Sequence, residues 1–382
     1  MKKRAFPLIV SLLLLLGGLT GARAVIREPY ATEPTAPVWS SYDPSLHYYY
    51  QQLTDAEKRV FSARYDCVAL GRPALWDEPG LDAAGRMRVD YALLTDCPEL
   101  MYMPIETGLG GVLLKPEEDW CAGHPGDIER LMADCRTALE AIRQRPEWGE
   151  SDFEKQLAVD RHIVSACRYD LEEEYSTYAS FTPDPMLRTA HAALAGGRAV
   201  CAGYAQGLQL ALRCLDIPCL IAYGYVYDGA GRANPHAWNM VRIDGEWYHH
   251  DVTWNDWDDE TMLEDFFPYL NLDTLTIRQT HSDDPARSAL GFSLPRCEAE
   301  GANYYAMKGR LLGDDWRDTL PALLWAARED GQTALGVRFR DAACFEEALA
   351  SYEAGDGTLF GPKADVPRVN VWEDVNFLYF RW

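Results

Sequence analysis

Two adjacent residues constrain the architecture of this chain more than any others: Asp244-Gly245, set between the apolar-rich segments Pro235 to Ile243 and Glu246 to Thr253. An Asp-Gly pair between such segments marks a two-residue hairpin, because both loop positions need positive φ. Each residue then pairs with its mirror image about the turn, so Trp238 faces Asp251 and His236 faces Thr253. His236, Trp238, Asp251 and Thr253 share one face of the sheet. The imidazole of His236 and the carboxylate of Asp251 become diagonal neighbours, about 7–8 Å apart at the backbone and within side-chain reach. A register slip of one residue separates them across the sheet. A third strand is expected just upstream, over Cys219 to Tyr227.

Before that strand lies Ala195-Gly196-Gly197-Arg198-Ala199-Val200-Cys201-Ala202-Gly203-Tyr204, a glycine-loosened loop running into a helical pattern. Tyr204, Leu208, Ala211, Leu212 and Leu215 recur on one helix face, and Asp216-Ile217-Pro218 ends it. Cys201 is thereby placed in the first helical turn, where open N–H groups and the helix dipole favour a thiolate. A single cysteine there is as consistent with inert packing. The residues downstream change that balance: nucleophilic cysteine chemistry needs a thiolate, an imidazole that takes and returns a proton, and an acceptor that orients the imidazole. Cys201, His236 and Asp251 supply the three. The aromatic residues Tyr204, Trp238 and Trp254 beside them are the candidate substrate contacts.

Other chemistries find less support. His249 and His250 are adjacent on a strand and point to opposite faces, so they do not ligate one ion together with His236. The acidic run Asp256, Asp258, Asp259, Glu260, Glu264 and Asp265 lacks the EF-hand glycine and reads as a solvated loop. Walker, G-x-S-x-G, H-E-x-x-H and G-x-G-x-x-G patterns are absent from the sequence. Neither a metal nor a cofactor is expected.

The 382 residues, 48% of them hydrophobic, suffice for a large core and more than one domain. Met1-Lys2-Lys3-Arg4, the apolar run Ala5 to Leu16 and Ala22-Arg23-Ala24 read as a signal peptide over residues 1–24, which predicts a secreted, extracellular or cell-envelope protein. The run is short for a membrane span of about 20 residues, and an uncleaved anchor is the alternative. Loss of Lys2, Lys3, Arg4 and Arg23 makes the net charge of −23 more negative still, which disfavours nucleic acid and anionic lipid as partners. Export permits disulfides among the ten cysteines. A free Cys201 then leaves at least one other thiol unpaired, with Cys214 a candidate. There is no C-x-x-C pair to suggest structural zinc.

Residues 25–45 read as a linker. Residues 46–149 read as a mainly helical region, with a helix following Thr54-Asp55 on Val60, Phe61, Tyr65 and Val68, an apolar element at Val89 to Leu94, a strand-like stretch running to Leu114, and a helix from Asp127 to Ile142 on Ile128, Leu131, Leu139 and Ile142. The core spans 150–285 and opens on a capping box, Ser151-Asp152-Phe153-Glu154. The loop Glu172 to Pro185 is a candidate groove wall. After a linker at 286–300, residues 301–382 read as a small α/β module, with strands at Asn303 to Lys308 and Ala334 to Phe339, helices at Trp316 to Arg328 and Ala342 to Tyr352, and one or two strands over Val369 to Phe380.

Three blocks, Gly197 to Ala205, Pro235 to Val241 and Trp247 to Trp254, together resemble in order and spacing the core of the bacterial transglutaminase-like superfamily. The likeness covers about residues 150 to 285, and Asp96 to Tyr102 resembles a stretch that often precedes such cores. The resemblance implies an α+β, papain-like fold in which a catalytic helix packs on an antiparallel sheet. It also implies Cys201 as nucleophile, His236 as general base and acid, and Asp251 as its orienting partner. The Cys201 N–H is the natural first oxyanion donor; the second is unassigned. The family includes glutamine cross-linking enzymes, peptidases, amide and glycopeptide hydrolases, and members without demonstrated activity, so membership does not fix the reaction. The expectation is a cysteine enzyme that forms a thioester with a protein or peptide amide and resolves it by hydrolysis or by amine transfer. The alternative is a non-catalytic cell-envelope or peptide-binding module that retains the fold. Oligomeric state is open.

Overall fold

The computed structural model describes residues 46–69, 80–100, 105–108, 111–114, 125–171, 185–227, 231–256, 265–360 and 367–382. The signal peptide, the linker at 25–45, Met101 and Tyr102, nearly all of the loop from Glu172, and Asp258, Asp259, Glu260 and Glu264 lie outside the described residues. The elements in chain order are α1 (Asp55–Ala69), α2 (Ala83–Asp96), β1 (Ile105–Gly108), β2 (Gly111–Leu114), α3 (Pro125–Ile142), α4 (Asp152–Ala166), β3 (Arg168–Tyr169), β4 (Arg198–Ala199), α5 (Cys201–Arg213), β5 (Cys219–Tyr227), β6 (Ala233–Ile243), β7 (Glu246–His250), α6 (Val252–Asn255), α7 (Thr274–Ile277), β8 (His281–Asp283) and α8 (Pro285–Ala289). They are followed by α9 (Tyr304–Met307), β9 (Leu311–Leu312), α10 (Trp316–Glu329), β10 (Ala334–Phe339), α11 (Ala342–Glu353), α12 (Gly357–Phe360), β11 (Arg368–Trp372) and β12 (Phe377–Arg381). The fold is α+β. Among the described residues no helix is long and apolar enough to cross a membrane.

The Asp-Gly turn does what its sequence requires. Asp244 and Gly245 take φ of 51° and 89°, and β6 pairs with β7 as Asn239 with His250, Met240 with His249 and Val241 with Tyr248. This is the expected register. It ends three residues early, however, at His250: the chain leaves the sheet at Asp251, whose side chain caps α6 by accepting from the Thr253 N–H at 3.0 Å and the Trp254 N–H at 3.2 Å. The expected facings of Trp238 by Asp251 and of His236 by Thr253 do not form, because an aspartate that bonds the amides two and three positions ahead starts a helix rather than continuing a strand.

The sheet runs β7-β6-β5-β8, every neighbour antiparallel. Helix α5 lies against β5 and β6. Its buried face carries Tyr204, Leu208, Ala211 and Leu212. The Asn239 side chain pins sheet to helix by donating to the Ala205 carbonyl at 2.9 Å. Helix α4, opened by a complete capping box at Ser151 and Glu154, packs behind α5. Thr54 and Glu57 form a similar reciprocal cap on α1. From the N-terminal side Tyr49 enters the same core, its hydroxyl donating to the Ile221 carbonyl at 2.7 Å.

At the C-terminal end a second sheet has the order β11-β12-β10-β9. One of its faces forms an apolar cluster with α10 and α11 through Leu320, Val337, Phe339, Phe345 and Phe380. The other face, with Phe377 and Tyr379, belongs to the main core and meets Phe266. The strand expected at Asn303 to Lys308 is instead α9, a single turn capped by the Asn303 side chain, which accepts from the Tyr305 and Ala306 N–H groups.

Candidate active site

Cys201 is the first residue of α5 and is half-buried. No acceptor for its amide is present among the described residues, so this N–H stays open, as first-turn amides are unless capped. The sulfur side is turned to β6: Cys201 packs against Ala205, Ile221 and Ala237, and the His236 ring and the Ala237 N–H both favour its thiolate. His236 bonds Asp251 Oδ2 through Nε2 at 2.8 Å, leaving Nδ1 as the nitrogen for sulfur. The structure thus brings together Cys201, His236 and Asp251. His236 is buried and Asp251 fully so.

Burial opposes the Cys201 thiolate, but the hydrogen bond and charge of His236 and the Ala237 N–H outweigh it, and the thiol falls below its ordinary value. Burial likewise opposes a charged His236. The carboxylate of Asp251, its hydrogen bond and the sulfur raise the imidazolium to about 10. Burial alone raises Asp251, yet the charge of His236 and the hydrogen bonds from His236 and His281 hold it well below the usual carboxylate range. Every other described cysteine goes the opposite way. Burial pushes Cys135, Cys167, Cys214 and Cys297 up to about 12 and raises Cys97, Cys219 and Cys344 as well. All eight described cysteines are unbridged, Cys214 included.

A second buried network holds the Asp251 corner in place. His250 points to the face opposite His249, bonding Asp160 Oδ2 at 2.7 Å and the Gln156 amide at 2.9 Å. Asn255 donates to the same Asp160 oxygen and accepts from the Tyr269 N–H. His249 instead accepts from the Trp238 indole N–H at 3.1 Å. The two histidines fix the strand that leads into Asp251, and Asn255 fixes the turn that follows it.

Of the candidate substrate contacts, Tyr204 is fully buried with its hydroxyl on Asp256, and Trp238 is buried against His249. Neither presents a surface to a substrate in this conformation; both brace the site. Trp254 is half-buried with its ring 5.9 Å from that of His236, the one aromatic of the three at the margin. Sequence reasoning missed His281, which reaches Asp251 Oδ2 at 3.0 Å from the short strand β8. No local signal marks a three-residue strand; its pairing with β5 across the chain creates the contact. Nitrogen and oxygen atoms of His236, Asp251 and His281 lie within 4.8 Å of one another, as do donor atoms of His47, Cys97 and Glu99. In the first group both rings donate to one carboxylate oxygen, so a cation there would have to displace two protons.

Residues 140–252 match the family described as the transglutaminase-like superfamily. No curated protein matches the chain. Among solved structures it is similar to a TGase, at 19% identity over 46% of this chain and 49% of that one, with a TM-score of 0.28. It is also similar to a protein described as a candidate cysteine protease from Cytophaga hutchinsonii, at 20% identity over 35% and 44% of the two chains, with a TM-score of 0.24. A third similar structure is a candidate protease from Parabacteroides distasonis, at 14% identity over 31% and 25%, with a TM-score of 0.22. The chain spans about half the length of the first of these.

Proposed function

We propose that this chain, whose residues 140–252 match the transglutaminase-like superfamily, is an exported cysteine acyl-transfer enzyme acting on protein or peptide amides. The single observation that carries this reading is the placement of Cys201 at the start of α5, against the strand β6 whose His236 bonds Asp251 at 2.8 Å; in keeping with it, Cys201 is drawn below its ordinary value while every other described cysteine is pushed above it. An inert packing cysteine belongs with the second group.

The chemistry follows from the placement of the atoms. The Cys201 thiolate adds to the amide carbonyl carbon, forming the S–C bond and an oxyanion beside the open Cys201 N–H. His236, protonated at Nδ1, gives that proton to the amide nitrogen as the C–N bond breaks. The amine leaves and a thioester remains. Neutral His236 then takes a proton from the incoming nucleophile, which attacks the thioester and releases the thiolate. Asp251 holds the ring throughout and stabilises its charged form. Water is the default acceptor in an exported enzyme, and an amine completes the same cycle as a transfer. The N-terminal signal-peptide pattern supports export, and Trp254 at the margin of the His236 ring is the favoured substrate contact.

The test incubates the mature protein with casein, with and without a labelled primary amine, alongside Cys201→Ala. Fragments or released ammonia without label identify hydrolysis, and label incorporation identifies transfer; either must vanish in Cys201→Ala. A folded wild type that yields neither product, nor an acyl-enzyme mass on Cys201 with a library of amide substrates, overturns the proposal in favour of a binding module that retains the fold.

A further inference from the structure

The carboxylate of Asp251 is saturated in an unusual way. Oδ1 accepts the Thr253 and Trp254 N–H groups. Oδ2 accepts from two imidazoles, His236 Nε2 at 2.8 Å and His281 Nε2 at 3.0 Å. The two rings stand 5.4 Å apart with their planes at 66°, so each approaches along its own direction. A carboxylate offers about four lone-pair sites, and here protein donors fill all of them. The other nitrogen of His281, Nδ1, meets the Thr280 hydroxyl at 2.7 Å. That hydroxyl also lies 3.3 Å from the Ile277 carbonyl; because a carboxylate only accepts, His281 carries a proton on Nε2, and with burial favouring the uncharged ring its Nδ1 is the acceptor toward Thr280.

The placement of His281 is built into the fold. On β5, Val226 pairs with His281 and Gly224 with Asp283. A Cβ on Gly224 would come within 1.9 Å of the Ser282 carbonyl oxygen. Only glycine lets β8 lie this close, and the close approach delivers His281 to the triad.

We propose that His281 is a positioning residue that tempers the Asp251–His236 pair: its neutral N–H shares the oxygen that holds the His236 imidazolium, so that His236 keeps one orientation and still releases its proton to the leaving group. The inference rests on reading Cys201 and His236 as the acid–base pair. An unshared buried carboxylate binds its imidazolium too firmly for ready proton return; a second donor on the same oxygen weakens that hold without adding charge. The titratable groups facing His281 are His236 on β6, Asp251 at the end of β7, His249 on β7 and Tyr269 from the loop before α7. Burial above all presses His249 down to about 3, so it is uncharged at neutral pH. Burial raises Tyr269. Burial also lowers His281, with Asp251 pulling the other way. The charges that count beside His281 are therefore those of Asp251 and His236.

The test follows the rate of Cys201 alkylation by iodoacetamide from about pH 5 to about pH 11. Wild type, His281→Phe, His281→Met and His281→Gln are compared after melting curves show that they fold. Wild type is expected to rise in two steps: the first as the thiolate–imidazolium pair forms, the second as His236 loses its proton. Without the donor, in His281→Phe and His281→Met, the upper step is expected to move to higher pH by on the order of half to one unit. Amide turnover is expected to fall about tenfold, the effect of roughly one such unit on proton return. His281→Gln, which keeps an N–H donor, restores both. Two steps in wild type with an upper step unmoved or lowered in the Phe and Met variants overturn this inference alone. A single ordinary thiol step in wild type overturns the acid–base reading and this inference with it. A measurement on unaltered protein stands beside these: the histidine ¹⁵N spectrum at neutral pH is expected to show His281 protonated on Nε2 only, and protonation on Nδ1 overturns the inference.

Discussion

At the scale of single residues the site is a contest between burial and partners. Asp251 has the clearest pH signature. Its folded value lies below its ordinary 3.8, so its stabilisation is present above that value and is lost on acidification. His236 lies above its ordinary 6.5, so its stabilisation is full below that value and is lost as pH rises through about 10. The margin in melting temperature of wild type over Asp251→Asn is therefore expected to be widest between these limits and to shrink toward both ends. A margin that is flat with pH would show that the carboxylate is not held by charge. Cys201, His236 and Asp251 were legible in the sequence because a helix start and a two-residue turn are local signals, and together they place all three. His281 was not, because nothing near it in the chain foretells that β8 will lie against β5. The aromatic residues mislead for a related reason: sequence marks Tyr204 and Trp238 as neighbours of the chemistry, but whether a ring faces substrate or braces a partner is decided by packing against Asp256 and His249.

At the scale of elements, the register of β6 and β7 was fully legible, since Asp244-Gly245 admits one hairpin geometry. Two expected strand segments failed for one shared reason. Asp251 and Asn303 each turn their side chains onto amides two and three positions ahead and start a helix, overriding the β-propensity of the aromatic and branched residues that follow. For Asp251 this departure matters to function, because the cap orients the carboxylate while leaving Oδ2 for the histidines. At Gly224 the strands β5 and β8 approach closely. Gly224→Ala places a methyl group against the Ser282 backbone and within 2.9 Å of the Trp238 ring. The expected cost is about 1–3 kcal/mol from overpacking, measured by urea unfolding, together with loss of turnover as His281 moves off Asp251. A variant with wild-type stability and turnover would show that β8 has room to spare.

At the scale of the whole molecule, two apolar clusters share one sheet. The strands β10 and β12 turn Leu335, Val337 and Phe380 toward α10 and α11, and Phe377 and Tyr379 toward Phe266 in the main core. Alternation along β12 was legible; the apolar partner of its second face was not, since Phe266 lies far away in sequence. Asp265 reinforces the seam by accepting from the Gly336 N–H at 3.0 Å and the Tyr304 hydroxyl at 2.6 Å, and by pairing with Arg310. Phe377→Ala is expected to cost about 3–5 kcal/mol and to lower the midpoint of one shared unfolding transition. Two separate transitions, with the site surviving loss of the C-terminal sheet, would contradict that coupling.

Catalysis at this site requires the sulfur of residue 201 to be ionised at a pH where an ordinary thiol is not. The most direct measurement is site-resolved iodoacetamide labelling at about pH 6.5, read by peptide mass, in wild type and His236→Ala. The expected result is that Cys201 labels well ahead of every other cysteine in wild type and falls to an ordinary thiol rate in His236→Ala. Labelling of Cys201 at an ordinary rate in wild type, or at a rate indifferent to His236, would contradict the account.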